Sequence, residues 1–231
     1  MRKLLLIIAV CGFAFTAQSQ SFWFGPRGGL SLGTQQGGNL GVQPMFGYNV
    51  GFFLETYDES NENGSLYMNL GLHQRGRSTN RFFSSFQNLF VPSVSYRYNN
   101  VVAEIGAKKF YSEKLFYKVG VRGEYTAFTN LDEVNDRIIS INSPLPDFIR
   151  PFTGGITIGG GYQFNIGDLY GLSIEGNIMP DFFNQYTSPE VPNIIHPITG
   201  QNVTIRAQEI RNTTLEVTVA FRFLRKVIYY E

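Results

Sequence analysis

Between Phe22 and Phe223 the chain returns repeatedly to a period of two. Leu115, Tyr117, Val119, Val121, Gly123 and Tyr125 alternate with Phe116, Lys118, Gly120, Arg122, Glu124 and Thr126. In an extended strand, successive side chains point to opposite faces, so one face of this segment is apolar and the other carries charge. The same reading fits Phe46-Tyr48-Val50-Phe52-Leu54 against Gly47-Asn49-Gly51-Phe53-Glu55, and Leu66-Met68-Leu70-Leu72 against Tyr67-Asn69-Gly71-His73. It recurs in Ile156 to Phe164, in Tyr170 to Glu175 and in Leu215 to Phe223, while Phe22 to Leu32 is a weaker, glycine-rich version. Amphipathic helices would need a period of 3.6, which none of these stretches has.

The first residues read differently. Arg2-Lys3, the apolar run Leu4 to Ala17 and the small-residue site Ala17-Gln18-Ser19 match the three regions of a secretory signal. The sequence therefore predicts a signal peptide over 1–19 and a mature domain over 20–231 that begins at Gln20. Cys11, in the middle of the apolar run, is poorly placed for lipidation. Cleavage removes Arg2 and Lys3 and no acid, so 19 basic and 18 acidic residues become 17 and 18, a net charge of −1. That balance gives no footprint for nucleic acid. With the single cysteine in the leader, the mature chain has no disulfide or thiol chemistry. Charged residues make up 16% and aromatics 15% of the chain, so its surface is less charged than the roughly 25% usual in soluble domains.

Loop lengths order the strands. Eight strands are predicted near 22–32, 45–56, 65–76, 89–111, 115–128, 153–165, 169–179 and 212–224. Their connections alternate: Tyr57–Gly64, Ser112–Lys114 and Gly167–Asp168 are short, whereas Gly33–Pro44, Gly76–Asn88, Thr129–Pro151 and Pro180–Arg211 are long. Apolar parity shifts between Phe90-Pro92-Val94-Tyr96 and Val101-Ala103-Ile105, which places a β-bulge at Asn99-Asn100 in one long strand. The expected fold is all-β: an eight-stranded antiparallel transmembrane β-barrel with short periplasmic turns, long extracellular loops and an apolar exterior, in the cell outer membrane. Tyr57, Phe110, Tyr111, Tyr117, Phe164 and Tyr170 would form one interfacial girdle, and Phe46, Tyr125, Phe128 and Phe152 the other.

The segments Gly47-Tyr-Asn-Val-Gly-Phe-Phe-Leu-Glu55, Val91-Pro-Ser-Val-Ser-Tyr-Arg-Tyr98, Gly106-Ala-Lys-Lys-Phe-Tyr-Ser-Glu-Lys114 and Gly120-Val-Arg-Gly-Glu-Tyr125 carry a resemblance. The chain resembles the small outer-membrane β-barrel proteins of Bacteroidota, the PorT-like group. The resemblance implies a barrel fold and an outer-membrane location; its motifs specify strands and carry over no catalytic residue.

The polar faces collect Arg27, Lys108, Lys118, Arg122 and Arg222 against Glu55, Glu104, Glu124, Glu175 and Glu216. An eight-stranded barrel is only wide enough to be filled by side chains, and buried charges need partners, so these ten residues are expected to pair and plug the interior. The alternative is a proton or small-solute path, or an integral-membrane enzyme, working through the same interior. Glu104, Glu124 and Glu175 resemble a carboxylate hydrolase set only if a substrate cleft is open beside them. His73 and His196 have no second His or Cys at metal-ligand spacing. Gly159-Gly-Gly161 and Gly25-Pro-Arg-Gly-Gly29 match no nucleotide fingerprint, and the acids of Leu131 to Asp136 lack the EF-hand spacing for calcium. No cofactor and no catalytic residue are expected.

Partners are expected at the loops. Arg75, Arg77 and Arg81 beside Phe82, Phe83 and Phe86 form a basic-aromatic segment suited to outer-membrane lipid and the anionic headgroups of lipopolysaccharide. Ile194-Ile195 and Val203-Thr-Ile205 flank Thr199-Gly200 as a hairpin whose edge suits an envelope protein partner. The expected role is a non-enzymatic barrel that presents surface loops or serves a larger envelope complex.

Overall fold

A computed structural model describes residues 21–36, 42–57, 64–79, 82–84, 89–91, 95–133, 146–195, 200–205 and 207–226. The leader, His196, and residues 80–81 and 85–88 of the predicted 76–88 connection lie outside those residues. Eight long strands form the wall: β1 (Phe22–Gln36), β2 (Met45–Thr56), β3 (Ser65–Thr79), β4 (Ser95–Phe110), β5 (Leu115–Thr129), β6 (Phe152–Asn165), β7 (Tyr170–Pro180) and β8 (Gln208–Arg225). Each is antiparallel to the next, and β1 closes on β8 from Phe22↔Arg225 to Gln36↔Arg211. The ring leaves no free edge in the wall, as a barrel in hydrocarbon must, because an unpaired backbone group has no water there to bond.

Side-chain alternation turns this ring inside out relative to a soluble barrel. On β8, Leu215, Val217, Val219, Phe221 and Phe223 are exposed, while Thr214, Glu216, Thr218, Ala220 and Arg222 are buried. Leu66, Met68, Leu70 and Leu72 do the same on β3, against buried Tyr67, Asn69 and His73. Runs of seven to nine residues at about 3.3 Å each, tilted as barrel strands are, give an apolar belt roughly 20–25 Å tall. Exposed rings border it: Tyr111, Tyr117, Phe164 and Tyr170 toward the termini, and Phe46, Tyr125, Phe128 and Phe152 toward the long connections.

Several strands continue past the belt. β3 runs to Thr79, β1 to Gln36, and β8 begins at Gln208. β4 starts at Ser95 instead of 89, because Leu89–Val91 pairs with Phe82–Ser84 in a small separate hairpin. The irregularity at Asn99/Asn100 is present, but the extra residue is on the facing strand: Asn99 pairs with Phe128 and Asn100 with Thr126, leaving Ala127 over. β4 itself keeps one parity, with Tyr96, Tyr98, Asn100 and Val102 all buried. Tyr96 and Tyr98 pack on Leu131 and Ile149 in a small cluster beyond the belt. A short hairpin of Val191–Ile195 with Asn202–Ile205 stands apart from the wall, as its flanking apolar residues and Gly200 suggested.

Interior glycines shape the lumen. A Cβ on Gly106 would lie 2.7 Å from the Tyr67 ring, and one on Gly161 would lie 2.7 Å from the Phe116 ring. These positions are bare because a backbone carbonyl of the paired strand, that of Val119 or Ile174, and then an aromatic side chain already occupy that space.

Candidate functional site: the charged interior

The alternation that builds the belt drives every other polar side chain into the lumen, and the lumen sorts them into three groups. Toward the termini, Lys108 Nζ donates to Glu55 Oε2 at 2.6 Å, and Lys118 Nζ donates to Glu175 Oε2 at 2.6 Å. Lys108 also reaches Glu175 at 3.7 Å, and Arg222 reaches Glu55 at 3.5 Å and bonds Gln163. The result is a chain of alternating sign, Arg222–Glu55–Lys108–Glu175–Lys118. An aromatic ring lies under each cation: Phe116 is 4.1 Å from Lys108, Tyr67 is 5.1 Å from Lys118 and Trp23 is 4.5 Å from Arg222. Ring faces carry negative potential and offset part of what these cations lose on leaving water.

Midway, Arg27 Nη2 donates to Glu216 Oε1 at 2.9 Å, and Thr218 Oγ1 donates to the same oxygen at 2.8 Å. His73 Nε2 stands 3.5 Å from Glu216 Oε2. Among the described residues Glu104 pairs with no cation; it accepts the Tyr67 phenol at 2.5 Å. The expectation that Glu104 pairs with a cation of this set therefore gives way to a neutral partner supplied by β3.

Toward the long connections, four side chains close a ring. Arg75 Nη2 stands 2.8 Å from Glu124 as an ion pair and Arg75 Nη1 donates to Asp181 at 3.1 Å, while Arg122 donates to Glu124 at 2.6 Å and pairs with Asp181. Arg122 further donates to the carbonyls of Ile156 at 2.5 Å and Met179 at 3.3 Å, and Asn100 donates to the free oxygen of Glu124 at 2.7 Å. Beyond this ring an amide network spans the mouth. Gln35 donates to Asn212 at 2.7 Å, Asn212 to Gln185 at 3.3 Å, and Gln185 to Thr126 at 2.9 Å.

Nine of the ten charged residues singled out in the sequence are buried, and the side chain of Arg27, the tenth, keeps 7% of its surface. Three more ionic side chains belong with them. Arg75 and Arg77, expected to face headgroups, are 1% and 2% exposed and point inward. Arg77 stacks over Tyr96 at 5.3 Å. Asp181, expected in a loop, is 3% exposed and completes the ring of four. Its inward direction follows from its backbone, which continues the wall by pairing with Gly155 and donating to the Asn212 carbonyl at 3.0 Å.

Two cavities of about 10 Å³ flank Arg27 and Asn69, each with room for about one water. Glu175 lines one of them and Glu104 the other, and neither of these two cavities admits a sugar or lipid. Among the described residues no three His, Cys, Asp or Glu side chains group as metal ligands, and Asn135 and Asp136 of the acidic segment lie outside them.

No family model and no curated protein matches the sequence. Among solved structures the barrel is loosely similar to Neisserial surface protein A, 8% identical over 87% of this chain and 96% of that one, with a TM-score of 0.39. It is similar to the same degree, TM-score 0.39, to Ail, the attachment invasion locus protein of Yersinia pestis, in complex with the heparin analogue sucrose octasulfate. There the identity is 12%, over 87% of this chain and 99% of that one. Outer membrane protein W of E. coli is 11% identical over 88% and 98%, with a TM-score of 0.32.

Proposed function

We propose that this chain is an integral outer-membrane β-barrel, exported through a cleaved leader, that conducts no solute and catalyses no reaction. Its activity lies in the surface it presents beyond the membrane, either alone or as an accessory of an envelope complex. The PorT-like kinship carried by its strand motifs is part of the same proposal. The observation that supports it best is the filled lumen: from the Trp23 end to the amide network at Gln185 the charges are ion-paired, apart from Glu104 on the Tyr67 phenol and Arg77 over Tyr96, around two cavities of about one water each. A pore or an active site needs room that this interior spends on its own ion pairs.

Loop replacement tests this. The trimmed segments are 80–94 and 189–207, because cutting the whole of 181–211 would remove Asp181 and Gln185 from the interior. The trimmed protein is expected to keep a heat-resistant folded band on a gel and to lose the envelope contact of the full chain. If trimming leaves that contact or phenotype intact while Glu104→Gln or His73→Ala abolishes it, the interior is the working part and an enzyme or proton path replaces this proposal.

A further inference from the structure

Burial of Arg75 and Arg77 removes them from any headgroup contact, yet the same end of the barrel turns other arginines outward. Arg97 on β4 and Arg150 just ahead of β6 are both exposed, one on each side of β5. The register fixes their surroundings. Asn99 pairs with Phe128, and the Asn130 amide donates to the Arg97 carbonyl at 3.3 Å, so Arg97 lies two residues beyond that pair on the outer face. Tyr125 pairs with Phe152, and Arg150 stands two residues ahead of Phe152 in the chain, exposed and just outside the strand. Two residues of strand are about 7 Å, which sets both guanidinium-bearing residues just past the apolar belt.

Below them is an aromatic floor. Phe128 and Phe152 are 73% and 71% exposed, and the rings of Tyr125 and Phe152 lie 4.9 Å apart. The nearby acids Asp132, Glu133 and Asp147 sit farther from the belt along the chain. Arg211 on β8 differs: it also faces outward, but Glu209 shares its face two residues away.

From this juxtaposition we infer a docking surface on the outer flank of β4 to β6 for a phosphorylated glycolipid of the outer leaflet. Its phosphate would lie between Arg97 and Arg150, and its acyl chains along Phe128, Tyr125 and Phe152. A planar guanidinium donates two parallel hydrogen bonds to phosphate, and two of them at the upper edge of a hydrocarbon belt complement a headgroup that is anionic where its chains begin. This inference rests on the outer-membrane reading, which puts the long connections and these arginines at the outer leaflet.

Native mass spectrometry of the full chain, folded in dodecyl maltoside and titrated with purified phosphorylated lipid A or with phosphatidylglycerol, tests it. Lipid A is expected to bind the wild type and Arg211→Ala alike, and to bind the Arg97→Ala, Arg150→Ala double variant at least tenfold more weakly. Equal affinity for wild type and double variant, or phosphatidylglycerol bound as tightly as lipid A, overturns the assignment. Heat-modifiable migration of the same samples, with insertion into liposomes, reports separately on the barrel itself. Failure there counts against the outer-membrane reading, whereas a folded, inserted double variant that still binds lipid A sinks only the docking surface.

Discussion

The two ends of the lumen meet the same problem, several buried charges in hydrocarbon surroundings, with different chemistry. Toward the long connections the cations are guanidiniums, and Arg75 and Arg122 close a ring with Glu124 and Asp181 while Arg122 spends further donors on the Ile156 and Met179 carbonyls. Toward the termini two of the three cations are ammoniums, strung in an open chain and seated on rings. A guanidinium is a rigid fork that serves two carboxylates at once, so the ring is specified by geometry. An ammonium is a point charge on a flexible stem, so its end is held by packing on aromatic faces and tolerates displacement better.

Breaking the ring should therefore cost most. Arg122→Ala leaves Glu124 and Asp181 to share Arg75 and strips two carbonyls of a donor, an expected loss of about 3–5 kcal/mol. The urea midpoint of the heat-resistant band measures it. One residue away on the outer face, Val121 is 61% exposed to the belt. Val121→Arg should cost roughly 2–4 kcal/mol by carrying charge into hydrocarbon. Lys118→Met removes an ammonium but keeps the stem on the Tyr67 ring and leaves Glu175 with Lys108, so about 1–3 kcal/mol is expected. Should Lys118→Met prove as damaging as Arg122→Ala, the contrast between the two ends fails. Gln36→Arg, exposed at the far end of β1, should stay within about 0.5 kcal/mol on the same assay.

Where lipid lies outside and charge inside, the sequence reads directly. On β5 both faces are labelled, and the predicted alternation from Leu115 to Tyr125 is the observed one. Past the belt that label disappears, because water replaces lipid outside the wall. Arg77-Ser-Thr therefore reads as loop although β3 continues to Thr79, and Tyr96 and Tyr98 read as outward when they turn in. Asp181 follows Pro180, an ordinary strand terminator, and only its pairing with Gly155 reveals that the wall goes on. The ten charged residues were legible from parity alone, but their partners were not. Pairs such as Lys118 with Glu175 span 57 positions and skip over the intervening strand β6, so they depend on stagger that a single strand does not encode.

Planar-bilayer recording on the refolded full chain bears most directly on the claim that this lumen is filled by its own ion pairs. The account predicts a flat baseline in molar salt over the usual voltage range, and resolvable steps only once Arg122 or Arg75 is replaced by alanine. A steady, large single-channel conductance in the wild-type protein would contradict it.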